Sequence, residues 1–144
     1  MKRMRRWFAV GLVVVAAAAA FGPINSAVAF FSGGLSIDVH VNSPATLVAR
    51  GAALKVPVTI DCNSTRGAYL EVDATERTGS GIAQGYTEEH VACIGGPQQL
   101  TVQLTAYGHA FKRGTAVVTA TLGACGFGTC GNESDTQSIS VVRK

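Results

Sequence analysis

The sequence predicts an all-β domain, an immunoglobulin-like antiparallel sandwich of seven to nine strands cross-linked by two disulfides. Three observations lead there. Apolar residues recur at every second position over most of the chain, the period of a half-buried strand. No long stretch carries apolar residues at helical spacing, so the crossover helices of a parallel sheet are not available. All four cysteines follow a segment laid out like an export signal. A small closed barrel satisfies the same pattern and is the alternative.

The first element is that export signal. Lys2, Arg3, Arg5 and Arg6 form a positive start, Phe8 to Phe21 is an uncharged apolar run, and Ala27-Val28-Ala29 is a small-x-small cleavage site. Cutting after Ala29 is therefore expected. The apolar run is shorter than the roughly 20 residues a membrane anchor needs and breaks at Gly22 and Pro23. Arg5-Arg6-Trp7-Phe8 half-matches a twin-arginine motif, and a plain basic leader of Sec type explains the pair as well. Residues 30–144 then form a single secreted domain with no membrane attachment of its own.

Processing reverses the sign of the charge. Four of the 12 basic residues lie in the leader, so the mature part carries eight against 9 acidic ones, a net of −1. A near-neutral domain has no electrostatic footprint for nucleic acid or an anionic membrane.

The strands follow in order. Leu35, Ile37, Val39 and Val41 alternate with polar residues until Pro44, and Thr46 to Ala49 continues briefly to Gly51. Val56, Val58, Ile60 and Cys62 form the next inward row, then Ala68, Leu70, Val72 and Ala74. After the hairpin signal Gly79-Ser80-Gly81 come two weaker strands, Ile82 to Thr87 and His90 to Ile94. Gly95-Gly96 reads as a two-residue turn. Leu100 to Ala106, Ala116 to Leu122, and Ile139 with Val141 complete the set. Pro57 interrupts a strong strand and lacks an N–H, so it belongs at an edge, a bulge or a strand start.

Four cysteines in an oxidising compartment imply two bridges. In sandwich order A-B-E-D, the strand ending at Cys62 lies antiparallel to the one opening after Cys93, which brings those two sulfurs to one end of a sheet. Cys125 and Cys130 flank Gly126-Phe127-Gly128-Thr129, where the chain folds back. The expected pairing is Cys62–Cys93 with Cys125–Cys130. In the chain-entropy model the bridges contribute roughly 3–4 and roughly 2 kcal/mol. Zinc is a poor fit, because the first pair lacks the short ligand spacing. Redox chemistry is too, without a C-x-x-C.

Chemistry is sparse. Glu88-Glu89-His90 is the densest titratable cluster, read as charged residues guarding an edge strand. His40 and His109 read as surface residues. No nucleophile elbow, zincin, Walker or dinucleotide motif occurs. No catalytic residue, cofactor or metal is assigned. Asn63-Ser64-Thr65 and Asn132-Glu133-Ser134 match the glycosylation sequon and are read as turn residues. Tyr69, Tyr86, Tyr107, Phe111 and Phe127 form a candidate contact patch, or else pack on the core. Phe127 is singled out, since a disulfide-closed tip between two glycines cannot reach the interior.

The run Phe111-Lys112-Arg113-Gly114-Thr115-Ala116-Val117, followed by Cys125-x4-Cys130 before a last strand, resembles uncharacterised small secreted two-disulfide domains of high-GC Gram-positive bacteria. The resemblance spans Leu35 to Val142 and implies a fold and secretion, not an activity. The late Cys-x4-Cys is also similar to that of the enediyne apoproteins, the neocarzinostatin type. Cys62 and Cys93 depart from that family, whose other bridge closes a shorter loop. The expectation is a secreted bacterial, non-catalytic module binding a partner at or outside the envelope. A small-molecule carrier and a secreted enzyme or protease inhibitor are the alternatives.

Overall fold

The computed structural model describes residues 34–144. The export signal expected over residues 1–29 lies outside them. The period-2 rows form strands β1 (Ile37–Val41), β2 (Ala45–Val48), β3 (Ala53–Cys62), β4 (Ala68–Thr78), β5 (Gly81–Val91), β6 (Gln98–Gly108), β7 (Gly114–Gly126) and β8 (Thr129–Arg143). Among the described residues there is no α-helix, only a 3-10 turn at Ala49–Gly51.

Every inward row read from the alternation points inward. Val56, Val58, Ile60 and Cys62 of β3 are fully buried, as are Leu70 and Val72 of β4 and the Ala116, Val118, Ala120, Leu122 row of β7. Val102 and Leu104 of β6, with Ile139 and Val141 of β8, complete one continuous core. Burying a Val or Leu side chain stabilises the fold by about 1.5–3 kcal/mol, so a one-residue slip of register would be disfavoured many times over.

Seven strands close into a ring. β3 pairs with β6, β6 with β5, β5 with β4, β4 with β7, β7 with β8, β8 with β2 and β2 with β3. The molecule is thus a closed seven-strand barrel or sandwich, with β1 added beside β3. The closure β5–β6 is short, Ala83–Tyr86 against Thr105–Gly108. All pairings are antiparallel except β2 with β8, Ala45 to Leu47 against Val141 to Arg143. That parallel pair corrects the all-antiparallel expectation. It needs no crossover helix because the whole intervening domain is the connection.

Three local expectations are also corrected. The two weak strands after Gly81 are one strand, β5, and Cys93 and Ile94 lie beyond it. Gly95-Gly96 is not a tight turn: a link of six residues separates Val91 from Gln98, and the Gly95 N–H donates to the Cys62 carbonyl at 3.1 Å. The last strand begins at Thr129, not Ile139, so Asn132 sits in a strand and not in a turn.

Pro57 stands where β1 hands over to β2. Val58 pairs with Val41 on one side of it and Lys55 with Thr46 on the other, while the Pro57 carbonyl accepts from Asn42 N–H at 2.9 Å. N–H and C=O of one strand residue face the same edge, so its missing donor faces this break, close to the cis Ser43–Pro44 bond.

Both bridges form with the expected connectivity, Cys62–Cys93 and Cys125–Cys130. No cysteine among them is free. Two closed disulfides fit a domain that matures in an oxidising compartment. Among the described residues, no helix is long and apolar enough to cross a membrane.

Candidate functional site

The β7–β8 register runs to Cys125 opposite Cys130 and Gly126 opposite Thr129. Only Phe127 and Gly128 remain to turn the chain. Both have positive φ, 54° and 81°, as a two-residue hairpin of type I′ requires. Asn, Asp or Gly usually fills the first of these positions, because a Cβ is strained there. Here a phenylalanine does, and its side chain is 60% exposed.

The tip is braced from below. Ser64, almost fully buried, donates its hydroxyl to the Cys125 carbonyl at 2.6 Å and accepts from Arg66 N–H at 3.2 Å. Leu35 lies beneath Gly126, where an added Cβ would come within 3.4 Å of it. Thr129 Oγ1 donates to the Gly126 carbonyl at 3.2 Å across the turn. Phe127 is thus an exposed aromatic on a rigid base.

Two hollows flank this base. One of about 380 Å³ runs along the tip beside Thr65 and Arg66. Another of about 360 Å³ is walled by Arg66, Tyr69 and His90 over the backbone of Gly123 and Gly131. Tyr69 meets His90 edge-on, ring centroids 5.0 Å apart.

From there the outward face of β4 and β5 continues. Tyr69 opposes His90, Glu71 opposes Glu88, Asp73 opposes Tyr86, and Arg77 opposes Ile82. Tyr107 of β6 stands beside it, opposite Gln84. Of the five candidate aromatics, Tyr69, Tyr86, Tyr107 and Phe127 are exposed, whereas Phe111 is fully buried.

Glu88, Glu89 and His90 are all exposed. They occupy the part of β5 that has β4 as its only strand partner, which matches charged residues on an open edge. Glu88 and His90 share the outward face and Glu89 points the other way. Tyr86 Oη donates to Glu88 Oε2 at 3.4 Å. Partial desolvation, then the negative charges of Glu71 and Glu88 and this hydrogen bond, hold the Tyr86 phenol above its ordinary value. Among the described residues no group of three or more His, Cys, Asp or Glu side chains is arranged to hold a metal ion.

Sequence reading missed two polar anchors. Asp135 accepts from Val41 N–H at 2.8 Å and from Gln137 Nε2 at 2.8 Å, and lies 3.1 Å from His40 Nδ1. Burial opposes its ionisation, but these donors and His40 outweigh that and leave the carboxyl below its ordinary value. Glu76 is 3% exposed and accepts from Lys112 N–H at 2.8 Å. Neither partnership has a sequence signal, since each joins residues 36 or 94 positions apart.

No family model matches this sequence, and no curated protein matches it. Among solved structures the chain is similar to AggA, the major subunit of aggregative adherence fimbriae type I from Escherichia coli. The identity is 8% over 77% of this chain and 96% of that one, with a TM-score of 0.40. It is also similar to Spo0M, a sporulation control protein from Bacillus subtilis, at 14% identity over 76% and 49% of the two chains, with a TM-score of 0.33. At these scores neither likeness bears on function.

Proposed function

We propose that this chain is a secreted, non-catalytic immunoglobulin-like module that binds a partner at or beyond the cell envelope, with Phe127 as a contact residue. The strand order supports the immunoglobulin-like assignment. β3 and β6 stand where B and E pair, β4, β7 and β8 where C, F and G pair, and the split first strand β1–β2 contacts both layers.

One observation carries the binding reading. An exposed phenylalanine occupies a left-handed turn position at which asparagine or glycine would be more stable. Backbone strain of this kind persists where surrounding structure enforces it, and it clusters at functional positions. The Cys125–Cys130 bridge and Ser64 supply that enforcement.

A carrier of the enediyne type needs a concave apolar cleft between the layers. This interior is occupied by Leu54, Leu70, Leu104 and Leu122, all fully buried, which favours surface binding over enclosure. Phe127→Asn is the test: the variant keeps its fold and loses capture of the partner from envelope and culture fractions. Capture undiminished in Phe127→Asn overturns the role of the tip. Hydrolytic turnover abolished by Glu88→Gln or His90→Ala overturns the non-catalytic reading.

A further inference from the structure

The outward β4–β5 face carries charge that folding does not use. Glu71 and Glu88 are direct cross-strand partners, and Asp73 is the next outward residue of β4. Like charges placed opposite each other destabilise an antiparallel pair. All three carboxylates are exposed. The ion pair found among the described residues, His40 with Asp135, lies elsewhere on β1 and β8. Arg77, a cation of the same face, stands at its far end opposite Ile82.

Aromatic rings frame these carboxylates. Tyr69 precedes Glu71 on β4, Tyr86 precedes Glu88 on β5, and Tyr107 lies one strand further out, each at least half exposed. The neighbouring β7 row is uncharged, with Thr121 opposite Glu71 and Thr119 opposite Asp73. The opposite outer face differs. There Asp38 opposes Asp61, but β3 and β6 beside them present Thr59 with Gln99 and Pro57 with Thr101, and the exposed aromatic of β6, Tyr107, stands at the end of that strand that pairs with β5.

We infer that the outward β4–β5 face docks a basic polypeptide segment, whose arginine or lysine side chains are taken by Glu71, Asp73 and Glu88 between Tyr69, Tyr86 and Tyr107. Charge complementarity selects that occupant. A guanidinium forms two parallel hydrogen bonds to a carboxylate and stacks on a tyrosine ring. Tyrosine is enriched where protein surfaces meet. Desolvation first, and then the charges of Glu71 and Glu88, raise the Tyr86 phenol. The inference rests on reading the domain as a binding module, though not on Phe127.

The test titrates the full-length protein with an extended octa-arginine peptide, an octa-glutamate peptide and spermine, following tyrosine and amide NMR signals. Octa-arginine shifts the signals of Tyr69, Tyr86 and Tyr107, octa-glutamate does not, and the affinity falls as salt rises. Neutralising the face (Glu71→Gln, Asp73→Asn, Glu88→Gln) weakens binding about tenfold or more. The control pair Asp38→Asn and Asp61→Asn on the opposite face leaves it unchanged. Equal losses in the two variants overturn the inference, as does spermine binding as tightly as the peptide. If Phe127→Asn alone abolishes capture of the natural partner, the docking inference fails and the module stands. If capture is unaltered in both variants, the docking inference and the role of the tip fail together; if the unaltered protein captures no partner, the module reading itself fails.

Discussion

The two ends of the domain are closed by different means. At one end β3, β5 and β7 finish and β1, β4, β6 and β8 begin. Both disulfides sit there, beside the links Asn63–Gly67 and Ala92–Pro97, whose one large apolar side chain, Ile94, points to solvent. At the other end there is no covalent tie. Phe111, in the β6–β7 link, is 1% exposed, and its N–H donates to the Gly51 carbonyl at 2.9 Å. Gly51 has φ +96°, and a Cβ there would overlap the Phe111 carbonyl oxygen. Glu76 holds the same loop through Lys112 N–H. The lesson is one of substitution. Where a loop turns an aromatic side chain inward, burial closes the core; where none turns inward, sulfur does.

That contrast is open to attack from its strongest joint downward. Phe111→Ala should cost about 3–5 kcal/mol, because removing a large buried ring leaves a cavity beside Gly85. Urea unfolding of the oxidised protein measures it, and a loss under 1 kcal/mol would remove the plug from the account. Replacing Cys62 and Cys93 together by alanine should cost about 3–4 kcal/mol, since their separation of 31 residues closes a long loop.

The same treatment of Cys125 and Cys130, only 5 residues apart, should cost no more than about 2 kcal/mol. The β7–β8 hydrogen bonds already hold that hairpin closed, so the staple mainly fixes Phe127. Losing it should therefore reduce partner capture more than stability. Phe127→Asn should raise stability by about 1 kcal/mol by relieving the left-handed strain, read as a higher thermal midpoint.

The smallest effect concerns acid. Asp135 binds β8 to β1 midway between the ends, and its carboxyl is held below its ordinary value of 3.8. Its stabilisation is complete above the unfolded value near pH 4 and is lost as pH falls through the lower folded value. Asp135→Asn should flatten that acid limb of the stability curve. An unchanged limb would show that the carboxylate contributes nothing to joining β1 and β8.

How far the sequence could be read depends on what each residue touches. The β3, β4 and β7 rows were legible because one face of each is buried over most of its length, and β6 because Val102 and Leu104 are buried at its centre. β5 lost its alternation at Glu88 to His90, where the strand is exposed on both faces. The first half of β8 hid for a related reason. Its inward positions hold Gly131, Glu133, Asp135 and Gln137, none of them apolar side chains, and Asp135 there bonds to Val41 N–H of β1. The cysteine pairing was legible because strand direction dictates which ends meet. The left-handed geometry at Phe127 was not, since two glycines beside it allow several turns.

The acidic face lay one step from view. With Gly79-Ser80 as a two-residue loop, Thr78 opposes Gly81 and Glu71 must oppose Glu88. The hairpin signal is legible in Gly79-Ser80-Gly81, but the length of its loop is not. Phe111 and Glu76 had no such route. A loop phenylalanine and a strand-end glutamate acquire their roles only when distant segments converge on them.

The parallel seam of β2 with β8 has a consequence for how the chain is finished. Its partners, Ala45 with Val141 and Leu47 with Arg143, are almost the first and last residues of the described fold. A polypeptide emerging amino end first leaves that edge of β2 without its mate until Val141 to Arg143 arrive. Pairings so remote in sequence form slowly, and an unmated strand invites the wrong neighbour. The molecule behaves like a clasp whose hook is made first and whose eye is made last.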